Sequence, residues 1–142
     1  GGNFFVSGAY VASDLWDNRL VKANEEDKKF AMEVLKYKWR VGQAARNGKV
    51  KSVASPFPEI TGSYTYYQDL NPESYVVESP DALEPAAQGA FTILRYSENN
   101  LSAGIAYKGN YKTCVLGFPF EAIRTVTERE LLMKAILTFF EH

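Results

Sequence analysis

Residues 2–10 of this chain read GNFFVSGAY, and this stretch decides the fold that the sequence predicts. The apolar residues 4–6 follow one another without alternation, which favours a β-strand covered on both faces, as in a parallel sheet. Ser7 and Gly8 then predict a turn, and residues 8–15 are expected to begin a helix. A strand, a turn and a helix in this order are typical of an α/β domain.

A second helix is predicted from residue 24 to about residue 36. Asn24 has a capping side chain, and residues 25–27 place three acids in the first turn, where they complement the helix dipole. The apolar residues that follow recur at helical spacing and predict one buried face: Phe30, Ala31, Val34 and Leu35.

The middle of the chain predicts short strands and turns. Asn47-Gly48 favours a tight hairpin turn between residues 41–45 and 50–53, because this dipeptide tolerates positive φ. Residues 64–67 and 75–77 are rich in tyrosine and valine, which predicts two further strands. The proline-bounded residues 78–85 are expected to form a loop.

The last third of the chain predicts an antiparallel meander and a helix. Residues 90–96 and 102–107 are predicted strands, and Gly109-Asn110 predicts a hairpin turn after them. Residues 113–118 predict a third strand, which is apolar on both faces and is therefore expected to be central. Residues 127–130, TERE, predict a capping box at the start of an amphipathic helix. Its expected buried face consists of Leu131, Leu132, Ala135, Ile136, Phe139 and Phe140.

Composition sets the outer limits of what the chain does. Its 142 residues suffice for one domain, residues 1–142, and 46% of them are hydrophobic. Sixteen Lys and Arg against seventeen Asp and Glu give a net charge of −1, which offers no electrostatic reason to expect nucleic acid as a partner. Apolar runs of only a few residues predict no membrane insertion. The single cysteine, Cys114, lies in an apolar strand and is expected to be a buried, inert thiol.

Two segments resemble the class I glutamine amidotransferase-like fold. Residues 2–10 resemble its nucleophile elbow, in which a strand turns sharply into a helix and presents the nucleophile; Ser7 holds that position here. Residues 115–121, VLGFPFE, are similar to the strand-end segment that reads Phe-His-Pro-Glu in the family. Carried over, Phe118 matches the phenylalanine and Glu121 the glutamate, whereas Pro119 stands where the family has its catalytic histidine.

The chain as a whole resembles the amidotransferase-like domain of large exported bacterial proteins, some of which bear the name xanthan lyase. The segments that carry this likeness are residues 35–40, 78–81, 91–100 and 117–121. The resemblance implies a partial flavodoxin-like sheet with antiparallel hairpins and a C-terminal amphipathic helix. It also implies that residues 1–142 are the C-terminal part of that domain, cut from a larger exported protein that processes polysaccharides.

The resemblance implies a degenerate active site at Ser7 and Glu121. A serine nucleophile needs a base, and the only histidine is the last residue, His142, although a Ser-Lys pairing stays open. The Ser7 hydroxyl is instead expected to cap the helix that follows it. Glu121 is expected to contact the C-terminal helix or a cation such as Arg124. The expected function is that of a structural or interaction module with no cofactor and no metal. Its expected partners are other domains of the parent protein or a second copy of this chain. In the family, earlier strands lie beside the elbow strand, so another segment is expected to cover that strand here.

Three other functions stay open. A polysaccharide lyase needs a base and a group that neutralises the sugar carboxylate, types that Arg95, Tyr96, Asn99 and Asn100 supply, and a serine hydrolase would use Ser7. A carbohydrate-binding module would stack sugars on aromatic rings, although the same rings are favoured in half-buried strands; they are Trp39, Tyr64, Tyr66, Tyr67 and Tyr75.

Glu78, Asp81 and Glu84 carry calcium-binding oxygens but lack the spacing of a known site, so a solvated loop is expected.

Overall fold

The structure is a computed structural model that describes residues 1–19, 22 and 24–142. The described residues form eight β-strands, three α-helices and two short turns of other helix types. The strands are β1 Asn3–Ser7, β2 Tyr37–Val41, β3 Lys49–Ser52, β4 Ser63–Thr65, β5 Ala82–Pro85, β6 Ala90–Tyr96, β7 Ser102–Lys108 and β8 Lys112–Leu116. The helices are α1 Ser13–Trp16, α2 Glu25–Phe30 and α3 Val126–Glu141, with a π-helical turn at Ala31–Leu35 and a 3-10 turn at Phe120–Ala122.

Six strands form one mixed sheet in the order β1-β8-β7-β6-β3-β4, and β2 and β5 form a separate antiparallel pair. Only β1 and β8 run parallel to each other; β8, β7, β6, β3 and β4 are joined by antiparallel pairings. The α/β class, the hairpins β6–β7 and β7–β8 and the C-terminal helix are therefore confirmed.

The central strand β8 is covered on both faces, as its sequence predicts. Cys114 and Leu116 are buried in the larger core on the α3 side. Val115 points to the opposite face, where it packs with Leu35 and Tyr37 from the turn and strand that follow α2. The sheet is thus the middle of three layers, and Cys114 is the buried thiol that was expected; burial raises its pKa.

The strand β1 is not central, so the expectation of a strand inside a parallel sheet is wrong, although both of its faces are partly covered. It lies at one end of the sheet and pairs only with β8 among the described residues. Phe5 and Val6 are half-buried against opposite layers, whereas the Phe4 side chain is 51% exposed. The apolar run at residues 4–6 therefore indicates that both faces of β1 are partly covered, but it does not indicate whether a strand pairs on each side of β1.

Helix α3 packs on the sheet with the face that its periodicity predicts, apart from one residue. Leu132, Ala135, Ile136 and Phe139 are buried, Phe140 is half-buried, and Leu131 is exposed. The helix begins two residues earlier than its predicted capping box. Thr125 is the cap, and its hydroxyl oxygen accepts a hydrogen bond from the Glu128 N–H at 3.1 Å.

The helix predicted after Asn24 is correct in its start and only partly correct in its buried face. The Asn24 side chain accepts a hydrogen bond from the Glu26 N–H, as a cap does. Ala31 and Leu35 are buried, but Phe30 and Val34 are exposed. The π-helical turn Ala31–Leu35 accounts for the difference, because its wider winding breaks the 3.6-residue period on which the prediction rested.

Several predictions in the middle of the chain are wrong. Gly48 has the expected positive φ of 64°, but the strand after it pairs with β4 and β6, so no hairpin forms with residues 41–45. A Cβ at Gly48 would lie 2.5 Å from the Tyr66 carbonyl oxygen. The glycine therefore permits a close approach of two backbone segments, at Gly48 and at Tyr66. The predicted loop at residues 78–85 contains β5, and residues 75–77 form no strand.

One backbone crossing fixes the end of β8 against the start of β5. The Asp81 N–H donates to the Gly117 carbonyl oxygen at 2.7 Å, and the Tyr96 hydroxyl donates to the Asp81 carbonyl oxygen at 2.6 Å. A Cβ at Gly117 would lie 2.0 Å from that same Asp81 oxygen. No side chain fits at Gly117 unless the backbone segments at Gly117 and Asp81 move apart.

Gly117→Ala is therefore expected to lower the free energy of unfolding by about 3 kcal/mol, the upper part of the range for steric overpacking. The control is Gly2→Ala, because a Cβ at Gly2 has no neighbour within 4 Å. It should leave stability within about 0.5 kcal/mol of the parent. Urea unfolding of the three proteins measures the difference, and equal losses in both variants would contradict the crossing.

Candidate functional site

The candidate site lies at the carboxyl ends of β1 and β8. Ser7 is the last residue of β1 and stands in register with Leu116, the last residue of β8. The segment 117–121 leaves the sheet directly beside it. Adjacent carboxyl ends of parallel strands are where α/β folds place ligands, so this edge is the first place to look for chemistry.

Ser7 lacks the geometry of a nucleophile elbow. It belongs to a regular strand and is not among the residues with positive φ. The chain makes turns from residue 9 to residue 12 before α1 begins at Ser13, so no helix follows Ser7 directly. The strain that presents a nucleophile in an elbow is absent at this residue.

The Ser7 hydroxyl holds the neighbouring segment in place. Its oxygen accepts a hydrogen bond from the Phe120 N–H at 3.1 Å. The expectation that it caps the following helix is therefore wrong, since Ala12 precedes α1 and makes no side-chain cap. Ser7 Oγ acts as an acceptor for a backbone group that the 3-10 turn Phe120–Ala122 leaves free.

No histidine base lies near Ser7. Asn3 Nδ2 donates to the Phe140 carbonyl oxygen at 3.0 Å, which places the end of α3, and with it His142, at the opposite end of β1. Four residues of extended strand separate Asn3 from Ser7, a span of about 13 Å. The Pro119 side chain carries no group that can accept or donate a proton.

Glu121 pairs with a tyrosine, so the expected contact with α3 or Arg124 is wrong. The Tyr75 hydroxyl donates to Glu121 Oε1 at 2.6 Å. Arg124 instead pairs with Asp69 at 3.3 Å and lies over the Tyr67 ring. Partial burial, the hydrogen bond to Glu121 and its negative charge together raise the pKa of Tyr75, so this phenol is a poor base at neutral pH.

A cleft of about 270 Å³ adjoins this pair. Its walls include Gly8, Tyr10, Tyr75, Pro119 and Glu121. The Tyr10 and Tyr75 side chains are both exposed, 43% and 50% respectively. The cleft therefore offers aromatic surface and a carboxylate, but no nucleophile that is paired with a base.

The most unusual charged group is one that sequence reasoning placed in a solvated loop. The Asp81 side chain is completely buried. Its Oδ2 accepts hydrogen bonds from the Ala12 and Ser13 N–H groups, both at 2.8 Å, and from the Ser13 hydroxyl at 3.2 Å. The first two N–H groups at the start of α1 are thus bound to Asp81 and are not free to bind another anion.

The other carboxylate oxygen of Asp81 has no hydrogen-bond partner among the described residues. Burial raises the pKa of Asp81 to about 6, against the opposing effect of the Ser13 and Ala12 N–H groups. The Trp39 indole N–H also lowers it, although the two groups form no hydrogen bond of normal geometry. A proton on Oδ1 would remove a buried charge that the hydrogen bonds to Oδ2 compensate only in part.

The residues proposed for a lyase or a sugar-stacking surface do not come together. Tyr96 is buried, whereas Arg95 on the opposite face donates to the Asn100 carbonyl oxygen. Tyr64 and Tyr66 are also buried, and Tyr66 stacks on Phe118 at 5.1 Å. These two tyrosines fill the core; Trp39 and Tyr67 are half-buried, and Tyr75 is exposed.

Two classes of site find no support in the described residues. No group of three or more His, Cys, Asp or Glu side chains is placed to hold a metal ion in the part of the chain that the structure describes. In the same residues, no helix combines the length and the apolarity that a membrane crossing requires. Comparison with family models, with curated proteins and with solved structures finds no match to this chain.

Asp81 gives the protein a pH-dependent stability that runs opposite to that of most carboxylates. Because the folded pKa is about 6 and the usual value 3.8, its contribution is complete below pH 4 and is lost as the pH rises through 6. The loss amounts to about 3 kcal/mol. Asp81→Asn keeps an acceptor for the Ala12 and Ser13 N–H groups but cannot ionise, so its stability relative to the parent should rise by about this amount between pH 4 and pH 7.

Urea unfolding at a series of pH values measures this difference. The control is Asp14→Asn, which removes an exposed aspartate from α1 and leaves Asp81 in place, so it should not reproduce this change. A flat difference for Asp81→Asn would mean that Asp81 titrates normally and that water reaches its Oδ1.

Proposed function

We propose that the chain is a catalytically inactive amidotransferase-like domain that serves as a structural or interaction module of a larger exported, polysaccharide-processing protein. The observation that carries the proposal is the engagement of Ser7. Its hydroxyl oxygen accepts the Phe120 N–H, and the residue next to Phe120 is Pro119 in place of a base. A hydroxyl without a base is a poor nucleophile at neutral pH.

The arrangement of the sheet supports the flavodoxin-like assignment within this proposal. β1 and β8 are parallel, and their carboxyl ends bring Ser7 beside the segment 117–121, as the family resemblance requires. The antiparallel strands β7 and β6 continue the sheet on the far side of β8. The relative placement of the two motifs supports the proposal, although the residues that would perform catalysis differ from those of the family.

A second observation supports inactivity independently of the missing histidine. An acyl-transfer site stabilises negative charge with N–H groups at a helix start. In this chain the N–H groups of Ala12 and Ser13 are already bound to the Asp81 carboxylate. Any oxyanion near Ser7 would need other donors.

The cleft beside Tyr75 favours one alternative function, carbohydrate binding. Exposed Tyr10 and Tyr75 offer ring faces on which sugars stack, and Glu121 offers a hydrogen-bond acceptor. This alternative is compatible with an inactive Ser7. Titration with neutral and uronic oligosaccharides tests it: binding that Tyr75→Ala abolishes would establish the cleft as a sugar site.

The purified domain is expected to hydrolyse neither glutamine nor an activated ester above the rate of its Ser7→Ala variant. Release of glutamate and of the ester's chromophore measures turnover. A thermal melt confirms that the variant is folded, since the lost acceptor for the Phe120 N–H should cost about 1–2 kcal/mol. Turnover in the parent that disappears in Ser7→Ala would overturn the proposal.

A further inference from the structure

The outer edge of β1 presents unpaired backbone groups. The Gly8 N–H donates to the Leu116 carbonyl oxygen, so the even-numbered residues of this strand direct their backbone groups toward β8. Successive strand residues point to alternate sides, and Phe5 and Ser7 therefore direct theirs toward the free edge. Among the described residues no strand lies on that side.

The opposite edge of the same sheet is closed. β4 is only three residues long, its Thr65 N–H donates to Glu128 Oε1 at 3.0 Å, and its Thr65 carbonyl oxygen accepts the Arg124 N–H at 2.8 Å. Proteins close exposed edges with such short strands and side-chain partners, or with charges, prolines and bulges. β1 has none of these devices: it is five residues long, uncharged, free of proline, and in continuous register with β8.

An apolar surface continues from β1 onto α3. The Phe5 ring meets the Phe120 ring edge-on, with 5.9 Å between centroids. Phe120 in turn lines a shallow groove of about 660 Å³ together with Val126, Met133 and Leu137 of α3. The side chains of Val126 and Leu137 are 59% and 53% exposed, so the strand edge and the helix face form one surface that lacks a cover.

The charges around this surface suit a second copy of the same chain. The groove carries two cations, Arg129 and Lys134, and two acids, Glu130 and Glu141. A surface with both signs in equal number can pair with itself about a two-fold axis, whereas a surface of one sign would repel its copy. The uncharged β1 adds no repulsion.

The geometry points to a homodimer in which β1 pairs antiparallel with β1 of a second copy, with the α3 grooves flanking the new strand pair. This inference rests on the proposed function as an interaction module and names its partner. Backbone groups of Phe5 would bond across the two-fold axis, and two six-stranded sheets would join into one of twelve strands. Another polypeptide strand could occupy the same edge, and the test separates that case.

Sedimentation over a wide concentration series measures self-association of the parent protein, with the dimer mass expected at high concentration. Phe4→Lys places a charge on the edge strand and should weaken the dimer at least about tenfold, because each lysine would then face the apolar Val6 of the second copy. Leu70→Lys is the matched control: Leu70 is 94% exposed in a loop elsewhere, and its variant should dimerise like the parent.

Two further measurements keep the test decisive. Leu137→Lys, on the exposed helix face, should also weaken the dimer, and it serves if Phe4→Lys fails to fold. Amide exchange of Phe5 should slow as the parent concentration rises, which association through another surface would not cause. A monomer at every concentration, or a dimer that Phe4→Lys and Leu137→Lys leave intact, overturns the inference. Either result leaves the proposed inactivity of Ser7 untouched, since that depends on turnover alone.

Discussion

The close crossing of two backbone segments, at Gly117 and Asp81, is the constraint on which the rest of the structure depends. The two residues share a hydrogen bond of 2.7 Å, and the Tyr96 hydroxyl binds the Asp81 carbonyl oxygen from a third strand. The Asp81 carboxylate then reaches α1 through the N–H groups of Ala12 and Ser13. One residue thereby connects β8, β6, β5 and the chain that follows β1. This junction fixes the start of the segment 117–121 at the end of β8.

The sequence predicts well those elements whose pattern reports local packing. The spacing of apolar residues predicts the buried face of α3, the hairpin strands β6 and β7 and the central strand β8. Helix α3 packs on the sheet and the three strands lie within it, so each pattern reports the packing of its own element. The predictions at Asn47-Gly48 and residues 78–85 failed because long-range pairing decided them. Gly48 is required by the approach of Tyr66, and β5 forms because β2 lies beside it. Neither partner is visible within a local window of sequence.

The candidate site illustrates the same limit. The parallel pairing of β1 and β8 brings Ser7 beside the segment 117–121. The partners of individual side chains were not predictable: Ser7 binds the Phe120 N–H, and Glu121 binds Tyr75. Asp81 was missed because an acid beside a proline is typical of a solvated loop, and only the folded chain shows that it is buried against a helix start.

Structural use of the helix start excludes catalytic use of the same groups. A buried carboxylate is costly unless hydrogen bonds compensate it, and the N–H groups of Ala12 and Ser13 are those that compensate Asp81. Both donors are held by Asp81 beside its crossing with Gly117, so they are not free to bind another anion. The absence of a base at Pro119 and the occupied helix start thus act in the same direction. A histidine at position 119 would supply a proton acceptor, but the Ala12 and Ser13 N–H groups would stay bound to Asp81.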